Sequence, residues 1–133
     1  MAIILVVDDD VDVITTIKKS LTRAGYRVAC ATSGNTAQQI LLNLRPDMVL
    51  LDIAMPGVDG IELCQRLRGN PSTASIPILF LTVSGDMQNK TAAFNAGADD
   101  YLVKPFDLQE LELRVKALLL REGPSIFADP ATT

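Results

Sequence analysis

Short apolar runs alternate along the chain with stretches in which apolar residues recur every third or fourth position. "IILVV" (3–7) is continuously apolar, as a strand buried on both faces must be. Residues 11–24 place Val13, Ile14, Ile17 and Leu21 at helical spacing, and Gly25 follows where helices commonly end. "YRVAC" (26–30) alternates strictly, so one of its faces is wetter and an edge strand is expected. Ser33 is placed to cap a helix over 34–44 that carries Ala37, Ile40, Leu41 and Leu44, with Pro46 as its stop. "MVLL" (48–51) is a second buried run. A helix is expected over 58–69, with Ile61, Leu63, Cys64 and Leu67. "GNPSTAS" (69–75) reads as a loop and "IPILFL" (76–81) as a strand. Residues 86–96 predict a helix with Met87, Thr91, Phe94 and Asn95 along one side, closed by Gly97. "YLV" (101–103) is the last strand, and 107–121 a helix with Leu108, Leu111, Val115, Leu118 and Leu119 facing inward.

Strands alternating with helices imply an α/β fold: a parallel sheet, helices on both faces, right-handed crossovers. Five such units suit the doubly wound strand order 2-1-3-4-5, which puts the wetter second strand at an edge. One domain over 1–121 follows, with "EGPSIFADPATT" (122–133) a flexible tail or truncated linker.

A chain of 133 residues with 48% hydrophobic content can bury its own core. Its net charge of −4 argues against direct nucleic-acid contact by this domain, which leans on Lys and Arg against phosphate. A basic protein partner stays open. Cys30 and Cys64 lie far apart with no C-x-x-C, as two buried thiols in a reducing compartment would. No apolar run resembles a signal peptide or approaches a membrane span, so a soluble cytoplasmic protein is expected, with no membrane partner. The absence of histidine excludes a histidine base, a His-ligated metal and a phosphohistidine on this chain.

In an open α/β sheet, sites form at the carboxyl ends of strands where strand order reverses. The first strand here ends on Asp8, Asp9 and Asp10, the third on Asp52, the fourth on Thr82 and the fifth on Lys104. First and third strands are neighbours in the expected order, so their acids converge. Either one carboxylate takes a proton or a cation sits among them. Oxygen ligands without His or Cys select Mg2+ or a similar ion such as Mn2+. That leaves one carboxylate as a nucleophile, with Lys104 and the Thr82 hydroxyl suited to transferring phosphoryl oxygens. Singly, each residue has a plain structural role. Asp8, Asp9 or Asp10 would cap the first helix, Asp52 would open a turn before Pro56, and Lys104 would be a solvated lysine. It is their joint placement at strand ends, in order, that points to phosphoryl transfer onto an aspartate.

"VVDDD", "LLDIAMPGVDG", "ILFLT" and "GADDYLVKPF" resemble the receiver domain of two-component response regulators, over about residues 2–121. The resemblance implies the flavodoxin-like form of the fold. It implies Asp52 as the phosphorylation site, charged by a sensor histidine kinase or histidine phosphotransfer protein. It implies metal ligation by Asp8, Asp9, Asp52 and the Ala54 carbonyl, and phosphoryl contacts from Thr82 and Lys104. It further implies Thr82 and Tyr101 as a switch pair, and a cis bond between Lys104 and Pro105. Phosphorylation would add roughly −1.5 to −2 charges beside these acids, which biases two positions of Thr82 differently.

Ala54 and Ser84 are small at places that influence acyl phosphate lifetime in the family. Val83 is bulkier than usual there and is expected to narrow the phosphoryl pocket. The face built from the fourth helix, fifth strand and fifth helix carries Lys90, Asp99, Asp100, Tyr101, Glu110 and Arg114. Mixed charge of this kind commonly serves solvation. The resemblance offers two alternatives there, homodimerisation on phosphorylation or a partner peptide. Two other readings compete on the same fold. An aspartate-nucleophile phosphatase normally carries a second acid where this chain has Ala54. A flavin module needs a phosphate-cradling loop where this chain has "DDDVD".

Overall fold

The computed structural model describes residues 1–83 and 87–121, and of 87–89 the backbone alone. Ten elements alternate among the described residues: β1 (Ile3–Val7), α1 (Val11–Arg23), β2 (Arg27–Ala31), α2 (Gly34–Leu41), β3 (Met48–Asp52), α3 (Gly60–Gly69), β4 (Ile78–Thr82), α4 (Met87–Ala96), β5 (Asp100–Val103) and α5 (Leu108–Leu120). All strand pairs are parallel and the sheet order is β2-β1-β3-β4-β5. β2 is an edge strand, and most of it is only partly buried, whereas β3 and β4 are buried throughout.

Alternation along each strand splits the core in two. Val7, Leu51, Phe80 and Tyr101 form one row across the sheet and face α2, α3 and α4. Ile4, Val6, Leu50, Leu79 and Leu81 face α1 and α5, against Ile17, Leu21, Leu111 and Val115. The row beyond pairs Asp52 with Leu81, and Thr82 lies one step further, against Val103. The register thus sets Asp52 and Thr82 side by side on the carboxyl edge, at slightly different heights.

Several boundaries differ from the sequence expectation. β3 and β4 each run one residue past the apolar runs 48–51 and 76–81, to finish on Asp52 and Thr82, the strand ends the sequence reading assigned to them. β4 starts at Ile78 because Pro77 has no N–H for the ladder; its carbonyl accepts from Val49 N–H instead. α2 ends at Leu41, three residues early: Leu42 and Asn43 donate to the carbonyls of Gln39 and Ile40, which tightens the last turn ahead of Pro46. α3 opens at Gly60 because the Asp59 carboxylate caps it, accepting from Glu62 N–H. On α4 the inward face is Ala93 and Ala96 with Phe94 partly covered, while Thr91 and Asn95 are exposed. Small residues let that helix approach the sheet and α3, so its apolar signal in sequence is weak. Cys64 is buried, donates to the Ala96 carbonyl at 3.3 Å, and burial pushes its thiol up to about 11. Cys30, on the edge strand, is only half-buried. Ser84, the expected start of α4 at residue 86 and the tail 122–133 lie outside the described residues.

Candidate functional site

β1 delivers Asp8 to the sheet edge fully buried, its N–H bonded to the Ala31 carbonyl as if the strand ran one residue further. The Asp8 carboxylate accepts from Asp10 N–H at 2.9 Å and from Lys104 Nζ at 2.6 Å. Asp10 is the residue that caps α1, accepting from the N–H groups of Asp12 and Val13. The capping role weighed for the acidic triplet therefore belongs to Asp10. It leaves Asp8 and Asp9 for the site, with Asp9 exposed.

Asp52 sits at the end of β3, 6% exposed. Carboxylate oxygens of Asp8, Asp9 and Asp52 lie within 4.8 Å of one another. Burial is the main reason the Asp52 carboxyl is pushed up to about 6, and the Asp8 charge adds to it. Lys104, 3.8 Å from Asp52 Oδ1, and the Ala54 N–H, which donates to the same carboxylate, pull the other way. Three convergent carboxylates with one lysine among them hold more negative charge than Lys104 can balance. The donor set is all oxygen, fits a hard divalent cation, and offers nothing to a thiophilic one.

Lys104 leaves β5 with its N–H bonded to the Thr82 carbonyl at 2.6 Å, so the exits of β4 and β5 are tied together. The Lys104–Pro105 bond is cis. Thr82 is buried, 2% exposed. Tyr101 points into the core beneath it. Its ring meets Phe94 edge-on, with centroids 6.4 Å apart, and Lys90 Nζ stands 5.7 Å from its centre. Val83 is 76% exposed and stands on the rim of a groove of about 610 Å3 between α1 and the β5–α5 loop, beside Lys104, Pro105 and Phe106.

The charged face divides. Arg114 grips Asp100 with two hydrogen bonds of 2.8 and 2.9 Å and reaches Glu110 one helical turn away. Lys90 is turned toward Tyr101. Asp99 corrects the sequence reading: it is 4% exposed and points inward, so it offers no surface to a partner. It accepts from Ile78 N–H and pairs with Arg68 at 2.7 Å and Arg121 at 2.6 Å. Arg68 also bonds the carbonyls of Ala74, Ile76 and Gly97. Nothing in the local sequence pairs Asp99 with arginines on two distant helix ends; the fold alone joins them.

No helix among the described residues is long and apolar enough to cross a membrane. Residues 4–116 match the profile of the response regulator receiver domain. The chain is 47% identical over 118 residues to the DNA-binding dual master transcriptional regulator RpaA of Synechocystis sp., an alignment covering 89% of this chain and 49% of that protein. It is 42% identical over 121 residues to the phosphate regulon transcriptional regulatory protein PhoB of Pseudomonas aeruginosa, covering 91% of this chain and 53% of that protein. The chain thus spans about half the length of the curated relatives it matches. Among solved structures, the response regulator TrrA of Thermotoga maritima, in complex with Mg2+-BeF, superposes with a TM-score of 0.79 at 34% identity, covering 89% of this chain and 99% of that one.

Proposed function

This chain belongs to the response regulator receiver domain family, and from that premise we propose that it is a phosphorylation-driven switch whose phosphoacceptor is Asp52. The observation that carries the reading is the convergence of Asp8, Asp9, Asp52 and Lys104 at the one sheet edge where strand order reverses. Asp52 attacks a phosphohistidine of a sensor kinase or phosphotransfer protein. A P–O bond forms at its carboxylate as the donor's P–N bond breaks, and the imidazole stays with the donor.

Asp8, Asp9, Asp52 and the Ala54 carbonyl would hold a Mg2+ or Mn2+ ion. Such an ion supplies positive charge that offsets both the acids and the phosphoryl oxygens. Lys104 is within reach of the incoming group because it already lies between Asp8 and Asp52. The Thr82 hydroxyl is the neighbouring donor, and its pull toward the phosphoryl group is what Tyr101, packed below, would register. The phosphatase reading lacks its second acid, since Ala54 stands there. The flavin reading lacks a neutral phosphate loop.

RpaA and PhoB are transcriptional regulators by name, which supports a transcriptional output made through contacts outside this domain. Lys90, Asp100, Glu110 and Arg114 are the groups left to trade their internal pairs for a partner's on the α4–β5–α5 face, by homodimerisation or by docking a peptide. The test is acid-labile phosphate uptake from acetyl phosphate with Mg2+. It is expected in the parent and lost in Asp52→Asn. Undiminished uptake by the variant sinks the assignment.

A further inference from the structure

The loop that follows Asp52 starts and finishes at one point. Gly60 N–H donates to the Ile53 carbonyl at 2.9 Å, so residues 53–59 form a closed loop between β3 and α3. Closure is that tight because Gly60 has no side chain. A Cβ there would lie 2.1 Å from the Asp52 carbonyl oxygen and 2.9 Å from the Asp52 carbonyl carbon and the Ile53 Cα. On the far side of the loop, a Cβ on Gly34, the first residue of α2, would lie 2.5 Å from the Val58 carbonyl oxygen and 2.8 Å from its Cβ. Real Cβ atoms essentially never come under 3.0 Å. The nearest atom in each case is backbone, so no change of rotamer relieves the contact.

We propose that Gly60 and Gly34 are positioning residues for the phosphoacceptor: two side-chain-free helix starts that clasp the 53–59 loop and so fix Ala54 against Asp52. The inference rests on the reading of Asp52 given above. Ala54 is the part of the loop that touches the chemistry. Its N–H donates to the Asp52 carboxylate, and its carbonyl is the fourth oxygen proposed for the cation. A methyl group at Gly60 must drive α3 and the loop apart by about 1 Å, and misplacement of that size at a reacting group costs roughly 10²-fold. Gly60 touches neither the phosphoryl group nor the cation; it acts through the backbone of Asp52 and Ile53 that it packs against, and through them on Ala54.

Gly69, at the other end of the same helix, is the control, since nothing lies within 4 Å of a Cβ there. Mg2+ binding to the parent, Gly60→Ala and Gly69→Ala is followed by the shift of the Ala54 amide resonance and by calorimetry. Phosphoryl uptake from acetyl phosphate is followed alongside. Expected is a Mg2+ dissociation constant raised about tenfold or more in folded Gly60→Ala, with uptake slowed roughly 10²-fold and Gly69→Ala matching the parent. A folded Gly60→Ala with parental Mg2+ affinity and an unmoved Ala54 amide overturns the proposal. Should Gly60→Ala lose its fold by circular dichroism, Gly34→Ala carries the same expectation and the same refutation. A parent that takes up neither Mg2+ nor phosphate fails the Asp52 reading itself, a result separate from loss confined to the glycine variants.

Discussion

Lys104 is bonded to Asp8 rather than to Asp52: Nζ lies 2.6 Å from Asp8 Oδ2 and 3.8 Å from Asp52 Oδ1. The lysine is therefore parked on the fully buried acid while the proposed nucleophile keeps a weaker hold on it. A phosphoryl group arriving on Asp52 brings new oxygens into the reach of the same ammonium without moving the strand that carries it.

Replacing Lys104 by Met leaves Asp8 buried beside Asp52 with no cation. Breaking one partner of a buried pair costs about 3–5 kcal/mol. Urea melts of Lys104→Met without divalent ions are expected to show a loss of that order, with Mg2+ restoring part of it. The Asp52 carboxyl, which Lys104 pulls down, should rise above its value of about 6. A variant as stable as the parent in the absence of Mg2+ contradicts this role for the pair.

Asp52 makes stability depend on pH. Its carboxyl sits at about 6 in the folded chain against 3.8 as the reference value, so the folded state binds the proton more tightly. The resulting stability is complete below pH 3.8 and is lost as pH rises through 6. Asp52→Asn removes the penalty of the charged form. Thermal melts without divalent ions should find the variant more stable than the parent near pH 7, by on the order of 1–2 kcal/mol after discounting solvent screening. The advantage should vanish near pH about 4. An equal gain at both pH values points to packing instead of charge.

Val83→Ala clears the groove rim beside Lys104. Because Val83 is 76% exposed, stability should move by no more than about 0.5 kcal/mol. Uptake from a small phosphodonor should quicken, within about tenfold, which corresponds to about 1.4 kcal/mol of barrier. Equal rates for the two proteins sink the idea that this side chain narrows access.

Asp99→Asn tests the buried network at the opposite end of β4. It weakens the pairs to Arg68 and Arg121 and is expected to cost about 3–5 kcal/mol in denaturant unfolding. Phosphoryl uptake per folded molecule should not change, because Ile78 and Asp99 lie at the amino end of β4 and Asp52 and Thr82 at the carboxyl edge. A selective loss of uptake at unchanged stability would show coupling between the two ends.

The amino-acid sequence by itself determined the alternation of elements, the parallel sheet and the residues standing at strand exits. These follow from local periodicity: continuous apolar runs such as 3–7 and 48–51 suit strands buried on both faces, and their alternation with helical periods points to a parallel sheet covered by helices. Tertiary structure alone decided how the charges pair. Lys104 could have bonded either acid, and in the folded chain it lies 2.6 Å from Asp8 and 3.8 Å from Asp52. Asp99 and Asp100 are adjacent in sequence, yet Asp99, just ahead of β5, is locked inside by two arginines and the Ile78 N–H, while Asp100, the first residue of β5, is held by Arg114 of α5. The face of α4 was also set by packing, since alanines that fit closely against a sheet carry little apolar signal. The two glycine contacts are invisible without coordinates: a missing Cβ has meaning only once the backbone that occupies its place is known.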